Sequence, residues 1–213
     1  MPPTHVNREE TERRLERLRR EWDEPPIVES TFDVDPDEFA AATATARDGY
    51  IGGGYCWVVR SPEQAAPLTP SMPDDAGNDH DRVLLILSRG SNEWGLPGGG
   101  LEGYDPGEVE DPPPAPEDPA YGETYEDAAV REVAEETSIE CRITDCWKIE
   151  RGTWEPTDDH DVLLHSLYVF FEAEYVDGHV ALQPGELDGA AWFRYMPERL
   201  HPANEEKAAA WEP

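Results

Sequence analysis

The sequence predicts an α/β protein in which a mixed β-sheet packs between helices. Runs rich in β-branched and aromatic residues alternate with stretches of helical periodicity, and segments rich in Gly, Pro and Asp separate them. The 213 residues contain no internal repeat and no apolar run long enough to cross a membrane. We therefore expect one core domain, residues 47–213, preceded by an extension, residues 1–46.

The extension is expected to be helical and to pack on the core. Residues 8–22 contain helix formers throughout and carry an apolar stripe of Leu15, Leu18 and Trp22. We expect this helix to dock through the stripe with its arginines in solvent; contact of these arginines with RNA or a partner is the alternative. Two more elements complete the extension, namely a strand at 27–34 and an Asp35-capped helix at 36–46.

The core domain is expected to combine strands with two helices. Its predicted strands, each bounded by turn-forming residues, lie at 50–60, 82–89, 139–152, 162–175, 179–182 and 190–195. One helix begins after Glu123, with Thr124 and Asp127 as a capping pair, and another is predicted at 203–211. This order of elements suits a mixed sheet covered by helices.

The helix that follows Glu123 places three carboxylates on one side. At about 100° per residue, the acidic positions fall within about one third of a turn and the apolar positions face the other way. The acidic set is Glu132, Glu135 and Glu136, and the apolar set is Val130, Val133 and Ala134. Mg²⁺ takes oxygen ligands of this kind, whereas a solvated acidic face is the alternative in a chain with 48 Asp and Glu residues.

The context of this helix resembles the signature of the Nudix hydrolases, G-x5-E-x7-R-E-U-x-E-E-x-G-U, where U is a bulky aliphatic residue. Residues 94–102 read WGLPGGGLE, and residues 122–139 read GETYEDAAVREVAEETSI. Gly99 takes the first glycine of the signature and Glu123 takes its first glutamate. The other matched positions are Arg131, Glu132, Val133, Glu135, Glu136 and Ile139.

Two departures from the signature are visible. Where the signature has x5 between its first glycine and first glutamate, this chain has x23 between Gly99 and Glu123, and the additional residues fall within 103–121. This stretch is rich in Pro and acidic residues, as is a second loop at 61–81, so we expect both to project from the core. Ser138 replaces the last glycine, and a left-handed helix end at this residue would be mildly strained.

The resemblance implies the α/β/α sandwich of Nudix domains and the hydrolysis of a nucleoside diphosphate linked to another group X. The products are then a nucleoside monophosphate and phosphorylated X, or a monophosphate and pyrophosphate when the substrate is a nucleoside triphosphate. It also implies Mg²⁺ as cofactor, with Mn²⁺ as a substitute. The sequence thus predicts a Nudix pyrophosphohydrolase.

The resemblance also implies roles for individual residues. Glu135 and Glu136 are the expected principal Mg²⁺ ligands, and the Gly98 carbonyl is a further one. Glu132 binds metal or deprotonates the attacking water. Arg131 is expected to orient a carboxylate through its planar guanidinium, with Glu123 as its partner.

Two acidic stretches outside the signature are candidates for a base or a further metal ligand. They are Asp158–Asp161, for which a solvated turn is the alternative, and Glu186, which precedes a Trp-containing strand as in Nudix domains. Trp154 and Glu186 are the predicted substrate contacts, because base recognition relies on aromatic stacking and a few polar groups. For Trp154, a place in the core is the alternative.

The net charge of −31 predicts a salt-rich cytoplasm, as in a halophilic archaeon, where salt screens the repulsion between carboxylates. It argues against nucleic-acid polymers and anionic membranes as partners and leaves a small nucleotide as the substrate. The three cysteines lack metal-binding spacing and are expected to be reduced thiols. A homodimer is left open.

A Nudix fold without catalysis, acting as a nucleotide-binding regulator, is the alternative function. Ser138 and the divided signature favour this alternative. The intact set of carboxylates opposes it.

Because the charge of −31 is self-repelling at low ionic strength, we expect the thermal unfolding midpoint to rise between about 0.1 M and about 2 M KCl. Differential scanning calorimetry at several KCl concentrations measures this. A midpoint that is flat or falls over this range would contradict adaptation to salt.

Overall fold

The fold was determined from a computed structural model that describes residues 3–47, 51–64, 80–102, 122–158 and 161–212. The helices in these ranges are α1 (Arg8–Glu21), α2 (Pro36–Arg47), α3 (Tyr125–Thr137) and α4 (Glu205–Ala209), with 3₁₀ turns at Pro62–Gln64 and Pro202–Asn204. The strands are β1 (Thr4–Val6), β2 (Ile27–Val34), β3 (Gly52–Arg60), β4 (Arg82–Ser88), β5 (Gly98–Gly100), β6 (Ile139–Pro156), β7 (Val162–Gly178) and β8 (Leu187–Phe193). None of these helices is long and apolar enough to cross a bilayer.

The described strands form one mixed sheet in the order β2-β6-β7-β3-β4-β8, with β1 joined to β7 and β5 joined to β3. Strands β1 and β2 run parallel to their partners β7 and β6. The pairs β3–β4 and β4–β8 are antiparallel. The predicted α/β class with a mixed sheet and an N-terminal helix is therefore confirmed.

Most predicted elements are present, and one is not. The strand at 27–34 and the helix after Asp35 are observed, and Asp35 accepts a hydrogen bond from the Asp37 N–H as a capping residue does. The strand predicted at 179–182 is wrong. The Ala181 N–H donates instead to the Thr137 carbonyl, and the Gln183 N–H to the Glu136 carbonyl. These two carbonyls at the end of α3 have no acceptor role within the helix, so they accept hydrogen bonds from N–H groups that would otherwise pair with a neighbouring strand.

The described residues divide into two compact units, and β3, β6, β7 and α3 run through both. Unit 1 comprises Met1–Tyr55, Gly99–Ala129 and Asp145–Phe171. In this unit α1 buries Leu15 and Leu18, as its apolar stripe predicts. The expectation that its arginines lie in solvent is wrong for Arg14 and Arg17, which are buried as well. The two loops predicted at 61–81 and 103–121 lie almost entirely outside the described residues. The boundary predicted between residues 46 and 47 stays a prediction.

Unit 2 comprises Cys56–Gly98, Val130–Thr144 and Glu172–Pro213. Its core is built by β4, whose residues Val83, Leu84 and Leu85 are fully buried and pair with β8. Aromatic contacts extend this core, since the rings of Trp94 and Phe193 lie 4.8 Å apart. The interior contributes to stability at roughly 25 cal/mol per Å² of apolar surface removed from water.

A pair of histidines joins β1 to β7 in unit 1. The Nδ1 atom of His5 lies 2.9 Å from the Nε2 atom of His165, and the His165 side chain is buried. Burial, together with the smaller effects of the charges of His5, Arg151 and Arg8, lowers the pKa of His165 to about 4. His165 is therefore neutral in the folded chain near neutral pH.

Acidification is expected to destabilise the chain through His165. The unfolded histidine titrates near 6.5, so between this value and about 4 the unfolded state binds a proton that the folded state does not. The free energy of unfolding should therefore be about 2 kcal/mol lower at about pH 5 than at neutral pH. This loss of stability should level off below pH 4. Urea unfolding across this range measures it. His165→Asn should remove this part of the pH dependence, whereas His179→Asn, at an exposed histidine, should retain it.

Candidate active site

Helix α3, which carries the predicted site, begins with the predicted capping pair. The Thr124 hydroxyl accepts a hydrogen bond from the Asp127 N–H at 3.1 Å and donates to the Asp127 carboxylate at 2.8 Å. Immediately before the helix, Glu123 and Glu102 bond to one another. The Glu102 N–H donates to the Glu123 carboxylate at 2.8 Å, and the Glu123 N–H donates to the Glu102 carbonyl at 3.2 Å. The start of α3 is thereby defined by local bonds.

The buried face of α3 differs by part of a turn from the predicted one. Ala129 and Val133 are fully buried, but Ala134, predicted on the apolar side, is exposed. Glu136 was predicted to share one face with Glu132 and Glu135. It is only 7 % exposed, whereas the other two glutamates are more accessible. The buried stripe passes through positions 129, 133 and 136, which lie within about 60° of one another on a helix. One of the three carboxylates therefore belongs to the buried face.

The carboxylate of Glu136 is bound to the glycine turn. Its Oε2 atom accepts a hydrogen bond from the Gly98 N–H at 3.0 Å. Burial raises the pKa of Glu136 to about 7; the Gly98 N–H opposes this rise, whereas the charges of Glu132 and Glu186 add to it. Four predicted site residues, Gly98, Glu132, Glu136 and Glu186, thus act on one another in unit 2. Gly98 enters through its N–H, although the sequence suggested its carbonyl.

Arg131 contacts two of the predicted metal ligands. Its Nη1 atom donates to Glu132 Oε1 at 2.9 Å and to Glu135 Oε2 at 3.0 Å. The side chain of Glu132 is largely buried, and that of Glu135 is half exposed. Its guanidinium thus contacts both carboxylates, and its role in orienting them stays a prediction. Its pairing with Glu123 stays a prediction.

Helix α3 ends at Thr137. The next residue, Ser138, has the left-handed backbone conformation expected at this position. Its φ is 59°, and its N–H donates to the Ala134 carbonyl at 2.8 Å. A serine there carries a steric cost that glycine avoids. The substitution of the last signature glycine is thus accommodated by the backbone.

Glu186 lies at the turn before β8. Its carboxylate accepts a hydrogen bond from Gln183 Nε2 at 3.2 Å, and its carbonyl accepts one from the Arg89 N–H at 2.7 Å. Its charge contributes to the raised pKa of Glu136. Its part in the site stays a prediction. In the other acidic stretch, Asp158 and Asp161 are exposed, whereas residues 159 and 160 lie outside the described part of the chain.

Trp154 packs in unit 1. Its ring lies 5.7 Å from that of Phe32, its Nε1 donates to Ser166 Oγ at 3.0 Å, and it borders the cluster that contains Val34 and Phe39. These contacts match the alternative in which Trp154 belongs to the core. Its contact with substrate stays a prediction.

The carboxylates are not assembled into a closed metal cluster. Across the ranges that the structure describes, no three His, Cys, Asp or Glu side chains are grouped so that they would hold a metal ion as they stand. Arg131 accounts for part of this, because it holds Glu132 and Glu135. The donor set nevertheless suits a hard cation, since a buried carboxylate beside two others is short of positive charge.

Sequence reasoning missed the contacts that hold the first turn of α3. Glu126 accepts hydrogen bonds from Arg17 of helix α1 and from Trp22, the residue that follows α1. Trp22 was expected to dock α1, but its partner was not foreseen, because a polar partner 104 residues away leaves no periodic signal in the sequence.

The comparisons with known proteins decide the family. The sequence profile of the NUDIX domain matches residues 76–211, which include the glycine turn and α3. The chain belongs to the NUDIX family. This confirms the predicted resemblance to the Nudix family. Helix α1 lies outside the matched residues.

Among Nudix relatives, the chain is similar to the NAD-capped RNA hydrolases NudC of two bacteria. It is 35 % identical over 77 residues to that of Pseudomonas putida and 38 % identical over 74 residues to that of Pectobacterium carotovorum. The matches cover 34 % and 35 % of this chain, and they span only 23 % and 25 % of the relatives' own length. A solved MutT NUDIX hydrolase from Burkholderia pseudomallei aligns with a TM-score of 0.40 at 19 % identity, covering 72 % of this chain and 96 % of its own.

Proposed function

We propose that the chain is a Mg²⁺-dependent pyrophosphohydrolase that cleaves a nucleoside diphosphate linked to another group X. The observation that carries this proposal is the buried carboxylate of Glu136, bonded to Gly98 and flanked by the charges of Glu132 and Glu186. Such a concentration of carboxylates at one end of the signature helix favours a site for cations and for the phosphates that accompany them.

Each residue of the site has a proposed role. Glu132, Glu135, Glu136 and the Gly98 carbonyl would hold Mg²⁺ or Mn²⁺, which when bound neutralises phosphate oxygens and acidifies a bound water. Glu132 would also serve as a base towards that water. Arg131 orients Glu132 and Glu135, and Glu123 secures the start of α3 through Glu102. Glu186 is proposed as the base or further ligand from outside the signature.

The identity of X is proposed from the relatives' names and from charge. NAD-capped RNA enters as a candidate substrate because the similar proteins are named for it, and NAD enters as the small nucleotide of that cap. The net charge of −31 favours the small nucleotide over the polymer. We also propose, from the same charge, that the chain works in a salt-rich cytoplasm.

The inactive regulator is the second function. The substitution at Ser138 and the divided signature favour it. The left-handed Ser138 and the bonds between Glu102 and Glu123 oppose it, because the two departures leave the helix and its carboxylates in place.

Hydrolysis is tested with a panel of nucleoside diphosphate derivatives, NAD and NAD-capped RNA, incubated with Mg²⁺ in high KCl. We expect release of a nucleoside monophosphate that Glu135→Gln lowers by at least about 10²-fold, because it removes a charged ligand. Glu140→Gln, at an exposed glutamate just after the signature, is the control and should retain activity. Binding without turnover would support the regulator, and a preference for capped RNA would contradict the small-nucleotide substrate.

Arg131→Lys tests whether this arginine acts through carboxylates. Lysine keeps the charge but lacks the planar guanidinium, so it is not expected to hold Glu132 and Glu135 in the same arrangement. We therefore expect kcat to fall about 10-fold or more, with KM changed by less than about 3-fold. Steady-state kinetics at saturating Mg²⁺ measure both constants. A larger effect on KM than on kcat would assign Arg131 to direct contact with substrate phosphate.

A further inference from the structure

The first turn of α3 is held by Arg17 of helix α1 and by Trp22, the residue that follows α1. Arg17 donates from Nη2 to Glu126 Oε2 at 2.8 Å and from Nη1 to Glu126 Oε1 at 3.3 Å. The indole Nε1 of Trp22 donates to Glu126 Oε1 at 2.8 Å. One carboxylate on the second residue of α3 thus takes three hydrogen bonds from Arg17 and Trp22, a set called the α1 clamp below.

The α1 clamp is an interior contact. Arg17 is only 6 % exposed, and the ring of Trp22 packs 5.7 Å from that of Phe171. Burial would lower the pKa of Arg17, but the hydrogen bond and charge of Glu126, together with the charges of Glu21 and Tyr125, outweigh it and raise that pKa. A charge pair buried with this geometry loses much if one partner is removed, because the other charge is left uncompensated.

The neighbouring residue of α3 is held in the same region. The guanidinium of Arg14 lies 5.7 Å from the ring centroid of Tyr125, and the buried Tyr125 hydroxyl donates to the Ile51 carbonyl at 2.7 Å. Two consecutive residues at the start of α3 therefore contact the N-terminal part of the chain. All of these contacts lie within unit 1.

The contacts at the start of α3 with Glu102, Arg17 and Trp22 coincide with an insertion in the signature. The signature joins its glycine turn to its first glutamate through the short spacer x5, whereas the spacer between Gly99 and Glu123 is x23 in this chain. A longer connection restricts the positions of its ends less. The bonds between Glu102 and Glu123 close the base of the insertion, and the α1 clamp holds the helix that follows.

We propose that Arg17 and Trp22 are positioning residues for the hydrolase site, acting through Glu126 on helix α3 in place of the short connection that the insertion interrupts. This inference rests on the proposed function. A hydrogen-bonded helix moves nearly as a rigid rod, so a change of its first turn is carried to Glu132, Glu135 and Glu136. A displacement of about 1 Å at reacting groups costs about 10²-fold in rate.

The test compares variants of α1 that differ in which partner they lose. Arg17→Met removes the charge and the fork, Arg17→Lys keeps the charge, and Trp22→Phe removes the indole N–H and part of the ring but keeps an aromatic side chain near Phe171. Glu12→Gln is the matched control, because Glu12 lies on the same helix but pairs with Arg151 of β6. The readouts are kcat and KM for the best substrate of the panel, the melting temperature, and amide hydrogen exchange of residues 123–137.

We expect kcat to fall about 10²-fold in Arg17→Met and about 10-fold in Trp22→Phe, with KM within about 3-fold of the original chain. Arg17→Lys should restore part of the loss. Exchange in α3 should accelerate in Arg17→Met and Trp22→Phe but not in Glu12→Gln, even where the melting temperatures fall equally. If Arg17→Met does not fold, Trp22→Phe alone decides.

The proposal is overturned if folded Arg17→Met and Trp22→Phe keep kcat within about 2-fold of Glu12→Gln, or if their α3 exchange is unchanged. If the original chain hydrolyses nothing, the proposed function fails separately. The α1 clamp is then judged by α3 exchange together with Mn²⁺ affinity measured by electron paramagnetic resonance. Weakened Mn²⁺ binding in Trp22→Phe but not in Glu12→Gln supports it, and equal binding overturns it.

Discussion

The hydrogen bond from the Gly98 N–H to the buried carboxylate of Glu136 is the interaction on which the described site depends. It joins the glycine turn to helix α3 over 3.0 Å. A buried carboxylate is costly without donors or a cation, and burial accordingly raises the pKa of Glu136 to about 7. The backbone carbonyl of the same residue accepts from Gln183, so Glu136 is fixed at both its side chain and its main chain.

Helix α3 connects this interaction to the rest of the chain because each of its ends is held. Its first turn lies so close to β3 that a Cβ atom on Gly54 would fall 2.2 Å from the Tyr125 carbonyl oxygen, which explains a glycine at this position. The Arg17 and Trp22 contacts to Glu126 hold the same turn from α1. A helix restrained in this way keeps its side chains within the small tolerance that catalysis requires.

Much of the fold could be predicted because it depends on local signals. Four observed features follow from side-chain chemistry within a few residues. They are the caps at Thr124 and Asp35, the strand at 27–34 and the left-handed conformation of Ser138. The strand predicted at 179–182 is absent because the N–H groups of Ala181 and Gln183 bind the end of α3, and no local sequence pattern reveals this partner. The orientation of α3 was off by part of a turn for a related reason: periodicity defines faces but does not say which angle a neighbour covers.

The sequence by itself determined the family, the placement of the carboxylates on one helix and the position of the insertion, because each is a matter of residue type and spacing. Only the tertiary structure decided which carboxylate is buried, that Gly98 serves it through its N–H, and that α1 reaches Glu126. These features arise from residues 38 and more than 100 positions apart. Contacts across such distances are set by how the elements pack, and packing is a property of the whole chain rather than of any segment.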